Sequence, residues 1–122
     1  MLIRYKKNSE KIAMGLLSFM PEEKEVRKLQ ETIQKYEENP NWHLYLWKED
    51  DDVLGLIGLR IEKINAVIQH ISVDPSHRNS GIGKSMVHEI QKMYQEQYAV
   101  CANHLVQQFY NKCEENNGKK KD

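Results

Sequence analysis

Ser72-Val73-Asp74-Pro75-Ser76-His77-Arg78-Asn79-Ser80-Gly81-Ile82-Gly83-Lys84-Ser85 is the stretch on which the reading of this chain turns. Ahead of the loop, Ala66 to Val73 reads as a strand. Asp74-Pro75 then turns the chain, and the glycines open a helix from Gly81 to about Tyr94. Glycine lets backbone come close to a ligand, and the first turn of a helix offers unpaired N–H groups at a positive dipole end. Together these features make an anion site suited to a pyrophosphate, with Lys84 and Arg78 adding positive charge. A plain strand-to-helix turn would carry the same punctuation. Two other phosphate loops do not fit. A Walker A loop ending in Gly83-Lys84-Ser85 needs a glycine where Arg78 stands, and a dinucleotide fingerprint starting at Gly81 needs one where Met86 stands.

Outward from this loop the chain alternates between two periods. Met1 to Tyr5 reads as a short strand. Ser9 is placed to N-cap a helix to Met20 with Ile12, Leu16 and Phe19 on one face, and Pro21 to start a second helix striped by Val26, Leu29, Ile33 and Tyr36. After Pro40 the period becomes two: Trp42, Leu44 and Leu46 alternate with His43, Tyr45 and Trp47, as in a strand between two layers. Glu49-Asp50-Asp51-Asp52 makes a polar turn, and Val53 to Ile61 returns as its hairpin partner. The helix after the loop carries Ile82, Met86, Ile90 and Met93 on one side. Tyr98 to Ala102 is a short buried strand, and Asn103 begins a last helix with Val106, Phe109 and Tyr110. The order β-α-α-β-β-β-α-β-α predicts an α/β fold: a mixed, mostly antiparallel sheet with one parallel pair and helices on both faces.

Composition narrows the function classes. With 122 residues the chain suits one domain, assigned to 1–115, with a polar tail at 116–122. Lys and Arg total 18 and so do Asp and Glu, which disfavours disorder through charge imbalance. The same balance argues against nucleic acid as a partner, because dedicated binders carry a basic excess. The longest apolar run, Ile12 to Met20, is far short of the roughly 20 residues that span a membrane, and no secretory signal pattern precedes it. A soluble, cytoplasmic protein is expected. Cys101 and Cys113 lack metal or redox spacing and read as small hydrophobes. No second ligand cluster supports a metal at the acidic turn, so no metal is expected.

Arg78-x-x-Gly81-x-Gly83, following a strand that ends in Val73-Asp74-Pro75, resembles motif A of the GCN5-related N-acetyltransferase (GNAT) superfamily, whose members bind acetyl-CoA. A second signature of that family is similar to Asn103-x-x-Val106-x-x-Phe109-Tyr110, and the element order agrees along nearly the whole chain. The resemblance implies an acetyl-CoA-dependent transfer of an acetyl group directly to an amine. It implies that backbone N–H groups of Arg78, Asn79, Ser80, Gly81, Ile82, Gly83 and Lys84 hold the CoA pyrophosphate. Ile71, Ser72 and Val73 would pair with the pantetheine arm, with the Val73 N–H as oxyanion donor. Asn103 would contact the pantetheine, and Tyr110 either protonates the leaving thiolate or is a packed aromatic.

Two departures weaken the acceptor half. The positions where the family often carries its general base hold Val67 and Gln69, neither of which takes a proton from an ammonium group. His70 has a suitable ordinary pKa but opposite strand parity. It is either a base turned in by a β-bulge or a satisfied interior histidine. Past the Tyr helix the family usually adds Gly-Phe and two further strands. Here Glu114-Glu115 stand in those positions and few residues follow. The acceptor side is then open, completed by a second subunit in a homodimer, or unused. The rival to an enzyme is a CoA-binding module with little or no catalysis, acting as a sensor or partner of biosynthetic enzymes.

Overall fold

Strand alternation and helical stripes assemble here into one sheet with a core on each side. The computed structural model describes residues 1–119, with side chains through Cys113; the side chains of the expected polar tail, 116–122, lie outside the described residues. The strands are β1 (Leu2–Arg4), β2 (Trp42–Glu49), β3 (Asp52–Glu62), β4 (Asn65–Val73) and β5 (Ala99–Ala102), adjacent in chain order. β1 to β4 pair antiparallel in succession, whereas β4 and β5 are parallel. The helices are α1 (Glu10–Leu17), α2 (Val26–Glu38), α3 (Ile82–Tyr94) and α4 (Gln107–Lys119). A parallel pair needs a crossover, and α3 supplies it. The predicted element order and mixed sheet are therefore observed.

The period of two in β2 sorts its side chains between the cores. Leu44 and Leu46 pack with Ala13, Leu16 and Leu17 of α1 and Leu29 and Ile33 of α2. Tyr45 faces the other way and joins Ile57, Leu59, Met86, Val87 and Ile90. Sliding β2 by one residue would exchange these two sets, so the register is strongly specified.

Three helical stripes differ from expectation. In α1 the buried residues are Ala13, Leu16 and Leu17, while Ile12 and Phe19 are exposed. The helix stops at Leu17, where the Ser18 hydroxyl donates to the Gly15 carbonyl (2.6 Å), so Phe19 lies past its end. Pro21 opens a single 3-10 turn, 21–23, rather than α2. Glu25 is extended (ψ 139°) and α2 starts at Val26, which is exposed on the outer face. In α3, Met93 is exposed and Tyr94 takes its place in the core, because the Tyr94 hydroxyl reaches Tyr45 (2.6 Å) and His43 (2.7 Å). No helix among the described residues is long and apolar enough to cross a membrane.

Candidate functional site

The site begins where two parallel strands part. β4 and β5 pair from Asn65↔Ala99 to Ile68↔Ala102 and no further. The Asn103 N–H donates to the Ile68 carbonyl (2.9 Å), and the chain then turns away. Asn103 Oδ1 accepts from the N–H groups of Leu105 (3.0 Å) and Val106 (3.2 Å), capping the turn into α4. β4 meanwhile runs on to Val73 beside β3.

Gln69 is the extra residue of a β-bulge in β4: Ile68 pairs with Leu59 and His70 with Gly58. A bulge shifts strand parity, and here Ala66 and Ile68 before it and Ile71 and Val73 after it all pack toward α3. The Asp74 N–H donates back to the Leu54 carbonyl of β3 (2.8 Å). Alternation along an antiparallel ladder then points the N–H and C=O of Ile71 and Val73 the other way, into the gap that β5 has left. The Arg78 Nε–H, which donates to the Val73 carbonyl (3.3 Å), meets it from that side.

The loop brings a helix end to the same gap. The Asp74 carboxylate accepts from the Ser76 N–H (2.9 Å) and hydroxyl (2.6 Å), which hold its carboxyl below the usual range and fix the turn. The Ser80 hydroxyl donates to the His77 carbonyl. Asn79 (φ 67°) and Gly81 (φ 86°) are left-handed, and these reversals swing the start of α3 toward β4. The first intrahelical bond is from the Ser85 N–H to the Gly81 carbonyl (2.9 Å), so the N–H groups of Ile82, Gly83 and Lys84 precede it. A Cβ on Gly83 would strike the Phe109 ring, so glycine is what allows α4 to close over this helix end.

These parts enclose a cleft of about 570 Å³. Ile71, Ser72 and Val73 form one side, Arg78, Asn79 and Gly81 to Lys84 the base, and Leu105, Val106 and Phe109 the α4 side. The opposite wall is the connection after α1, Phe19 to Glu22. Arg78 lies 5.7 Å from the Phe19 ring centroid, joining that wall to the loop. Cations and a helix N-terminus at the base make this end anion-seeking, while Glu22 is the acidic lining group. Sequence reasoning missed the wall. Its signal was available in retrospect: Phe19, a large exposed aromatic, directly precedes a Met-Pro turn.

Ser80, with its hydroxyl on the His77 carbonyl, is not among the lining residues of the cleft, and three further expected site residues point elsewhere. His70 Nε2 lies 3.0 Å from Glu23 Oε1, and Nδ1 lies 2.6 Å from the Tyr36 hydroxyl. Glu23 is only 3% exposed. Burial pushes its carboxyl up, but hydrogen bonds from His70 and Thr32 outweigh this and hold it below the usual range. Assigned from these partners, His70 donates through Nε2–H to the carboxylate and accepts at Nδ1 from Tyr36. Burial keeps the Tyr36 phenol protonated. The bulge is present, yet it delivers His70 to the α1–α2 side, where both nitrogens are used. This placement corresponds to the interior histidine of the two alternatives and sets the side chain away from the cleft. Tyr110 is buried, and its hydroxyl donates to the Val100 carbonyl (3.0 Å) and accepts from Gln91 (3.2 Å) instead of lining the cleft. Asn103 Nδ2 donates to Gln69 Oε1 (3.2 Å), so this side chain holds the fork and caps α4.

The sequence pattern of the acetyltransferase (GNAT) family matches residues 10–114, and the chain belongs to that family. It is 52% identical over 115 residues to an uncharacterised N-acetyltransferase from the lysA 3′ region of Bacillus methanolicus, covering 93% of this chain and 95% of that one. Among solved structures it is similar to AAC(6′)-Iy in complex with the bisubstrate analogue CoA-S-monomethyl-acetylneamine. That likeness has a TM-score of 0.74 at 12% identity and covers 93% of this chain and 88% of the other. An aminoglycoside 6′-N-acetyltransferase complexed with coenzyme A gives 0.66 at 18% identity over 80% and 56% of the two chains. At these identities the structures establish the shared fold.

Proposed function

We propose that this chain is an acetyl-CoA-dependent N-acetyltransferase that passes the acetyl group directly to an amine, with CoA lying in the cleft between β4, α3 and α4. One observation carries the proposal: the edge of β4 at Ile71 and Val73, where no strand pairs and the Arg78 side chain meets the Val73 carbonyl, runs straight into the N-terminus of α3. The pyrophosphate meets the N–H groups at Gly81 to Lys84 and the charge of Lys84 and Arg78. The pantetheine amides pair with Ile71 and Val73 as an added strand would. The Val73 N–H donates to the thioester oxygen, favouring the state in which that oxygen gains charge. The neutral amine nitrogen bonds to the acetyl carbon, the carbon–sulfur bond breaks with its electron pair on the CoA sulfur, and the proton lost by nitrogen to solvent is balanced by one that solvent returns to the departing thiolate. The small relative in Bacillus methanolicus and the CoA complex of a distant fold neighbour support the same reading.

A second reading has its own observation. His70 and Tyr110, the side chains expected to move protons, are both engaged away from the cleft. A CoA-binding module with slight catalysis, serving as a sensor or partner of biosynthetic enzymes, would need neither. The loop wording from His70 to Lys84 also resembles RibT, the small acetyltransferase-like protein encoded beside riboflavin biosynthesis enzymes, and a place in that cytoplasmic pathway belongs to the proposal. So does a homodimer: among the described residues no strand pairs with the outer edge of β5, and a second copy would complete the acceptor side.

Calorimetry with CoA, followed by an amine screen that reads thiol release from acetyl-CoA, tests both readings. Turnover on an amine supports the enzyme, and tight binding with no turnover supports the module. Gly81→Val should abolish the thermal stabilisation by CoA, because its φ of 86° suits glycine and a side chain would block approach to the loop. Stabilisation that survives this change would remove CoA from the loop.

A further inference from the structure

The Phe19–Glu22 wall is not joined to the sheet by general packing alone. Its two ends are tied to the same strand by two alternate side chains. On the α1 side, the Ser72 hydroxyl donates to the Leu16 carbonyl (2.5 Å). On the α2 side, His70 Nε2 lies 3.0 Å from Glu23 Oε1. His70 and Ser72 are both buried, on the face of β4 opposite to Ile71 and Val73. Every donor and acceptor of the second tie is occupied. Thr32 Oγ1 of α2 donates to Glu23 (3.0 Å), the Tyr36 hydroxyl meets His70 Nδ1 (2.6 Å), and Lys28 lends its charge to Glu23 from the same helix. Gly58 has no Cβ, and one would collide with that Tyr36 hydroxyl, so the backbone of β3 is cut back to let the network form.

We infer that Ser72 and the His70–Glu23 pair are positioning residues, a two-point clamp that holds the Phe19–Glu22 wall against β4 and sets the width of the cleft along the pantetheine arm. This rests on the CoA reading above, and it gives His70 a role no proton transfer requires. The strand that offers its peptide edge to the ligand on one side fixes the facing wall with its side chains on the other. Strand and wall therefore move together, and the cleft is formed before a ligand arrives. A wall joined only by apolar contacts would have to be ordered on binding, at a cost in affinity.

The two nitrogens of His70 allow a test that separates positioning from mere core filling. The amide of glutamine reaches the place of Nε2, whereas that of asparagine reaches only the place of Nδ1. His70→Gln keeps the tie to Glu23, and His70→Asn keeps only the bond to Tyr36. Binding of CoA and of 3′,5′-ADP, which lacks the pantetheine arm, is measured by calorimetry at a temperature where circular dichroism shows each variant folded. Wild type should bind both. His70→Asn and Glu23→Gln should each weaken CoA about tenfold, the effect of losing one hydrogen bond to a charged group. ADP affinity should change less than about twofold in each, and His70→Gln should stay near wild type for both ligands.

Equal losses for His70→Gln and His70→Asn, or equal losses for CoA and ADP, would overturn the clamp while leaving CoA binding in place. Failure of the wild type to bind CoA sinks the functional reading itself, and the clamp with it. Should the pair variants not fold, Ser72→Ala removes the other tie without leaving a buried charge. It should weaken CoA several-fold and speed amide hydrogen exchange at Phe19, Met20, Glu22 and Glu23; unchanged exchange and affinity in Ser72→Ala would equally refute the clamp.

Discussion

The first half of β4, Asn65 to Ile68, is paired with a strand on both edges, whereas its second half, Ile71 to Val73, has β3 as its one strand partner, and on the other edge the Val73 carbonyl accepts from the Arg78 side chain. In the first half Ala66 and Ile68 are fully buried under α3 and α4; in the second, Ile71 and Val73 are half-buried and line the cleft. Gln69, the bulged residue, is the boundary between them. The contrast shows how one strand serves two ends. Pairing and burial hold the fold where β5 is present. Where β5 departs, the backbone groups that a sheet would satisfy internally face the cleft instead of a strand.

The contrast is sharpest under truncation of the two isoleucines. Ile68→Ala removes a fully buried side chain from the larger core and should cost about 2–5 kcal/mol in urea denaturation. Ile71→Ala, half-buried at the cleft, should cost about 1 kcal/mol and act mainly on CoA affinity. Similar stability losses would mean that the cleft half of β4 is as much core as the paired half.

A smaller effect lies at the helix end that faces the free edge. Gly83→Ala places a methyl against the Phe109 ring and should destabilise by about 1–3 kcal/mol, since α4 must shift. Combining it with Phe109→Ala should recover part of that loss, a coupling of about 1 kcal/mol in a double-mutant cycle. Strict additivity would show that Phe109 does not close over the loop.

The reverse face of the cleft half predicts a pH dependence. Glu23 has a folded pKa below its unfolded one, so the unfolded chain binds its proton first as pH falls. The stability it contributes is complete above the ordinary carboxylate pKa of about 4.3 and is lost as pH drops through the lower folded value. Denaturation of wild type and Glu23→Gln across pH 3 to 7 should therefore give a difference of about 1–2 kcal/mol at neutral pH that shrinks in acid. A gap independent of pH would place Glu23 outside any charge-assisted bond.

How much of this was legible beforehand follows from the range of the forces involved. Local signals worked: the turn at Asp74-Pro75, the glycines at 81 and 83, and the period of two around Leu44 and Leu46 depend on neighbours in sequence, and the structure uses them as read. The parts that were missed depend on contacts distant in sequence. The helical period puts Phe19 on one face with Ile12 and Leu16, but its position is decided by where α1 stops and by the ties from Ser72 and His70, which are over 40 residues away in sequence. For His70, parity and the chance of a β-bulge leave both a base and an interior histidine open. Only the pairing of β3 with β4 places the bulge at Gln69, and only the fold brings Glu23 and Tyr36 to the two nitrogens. For Tyr110 the motif leaves open a thiolate donor or a packed aromatic, and the contacts of its hydroxyl with Val100 and Gln91 come from the packing of α4, which the motif does not specify.

Tyr110→Phe is the smallest of these changes and tests that last point. The hydroxyl bonds to the Val100 carbonyl in β5, on the paired side of the fork, so its removal should cost about 1 kcal/mol of stability. The Phe ring keeps the packing with α3, and the fork at Asn103 is untouched. CoA affinity should then be unchanged, and any thiol release from acetyl-CoA should proceed at the wild-type rate with the wild-type pH profile. A variant that binds CoA normally but loses turnover would show that the hydroxyl leaves Val100 to serve the thiolate, and the division of β4 into a structural half and a ligand half would not extend to the residues packed behind it.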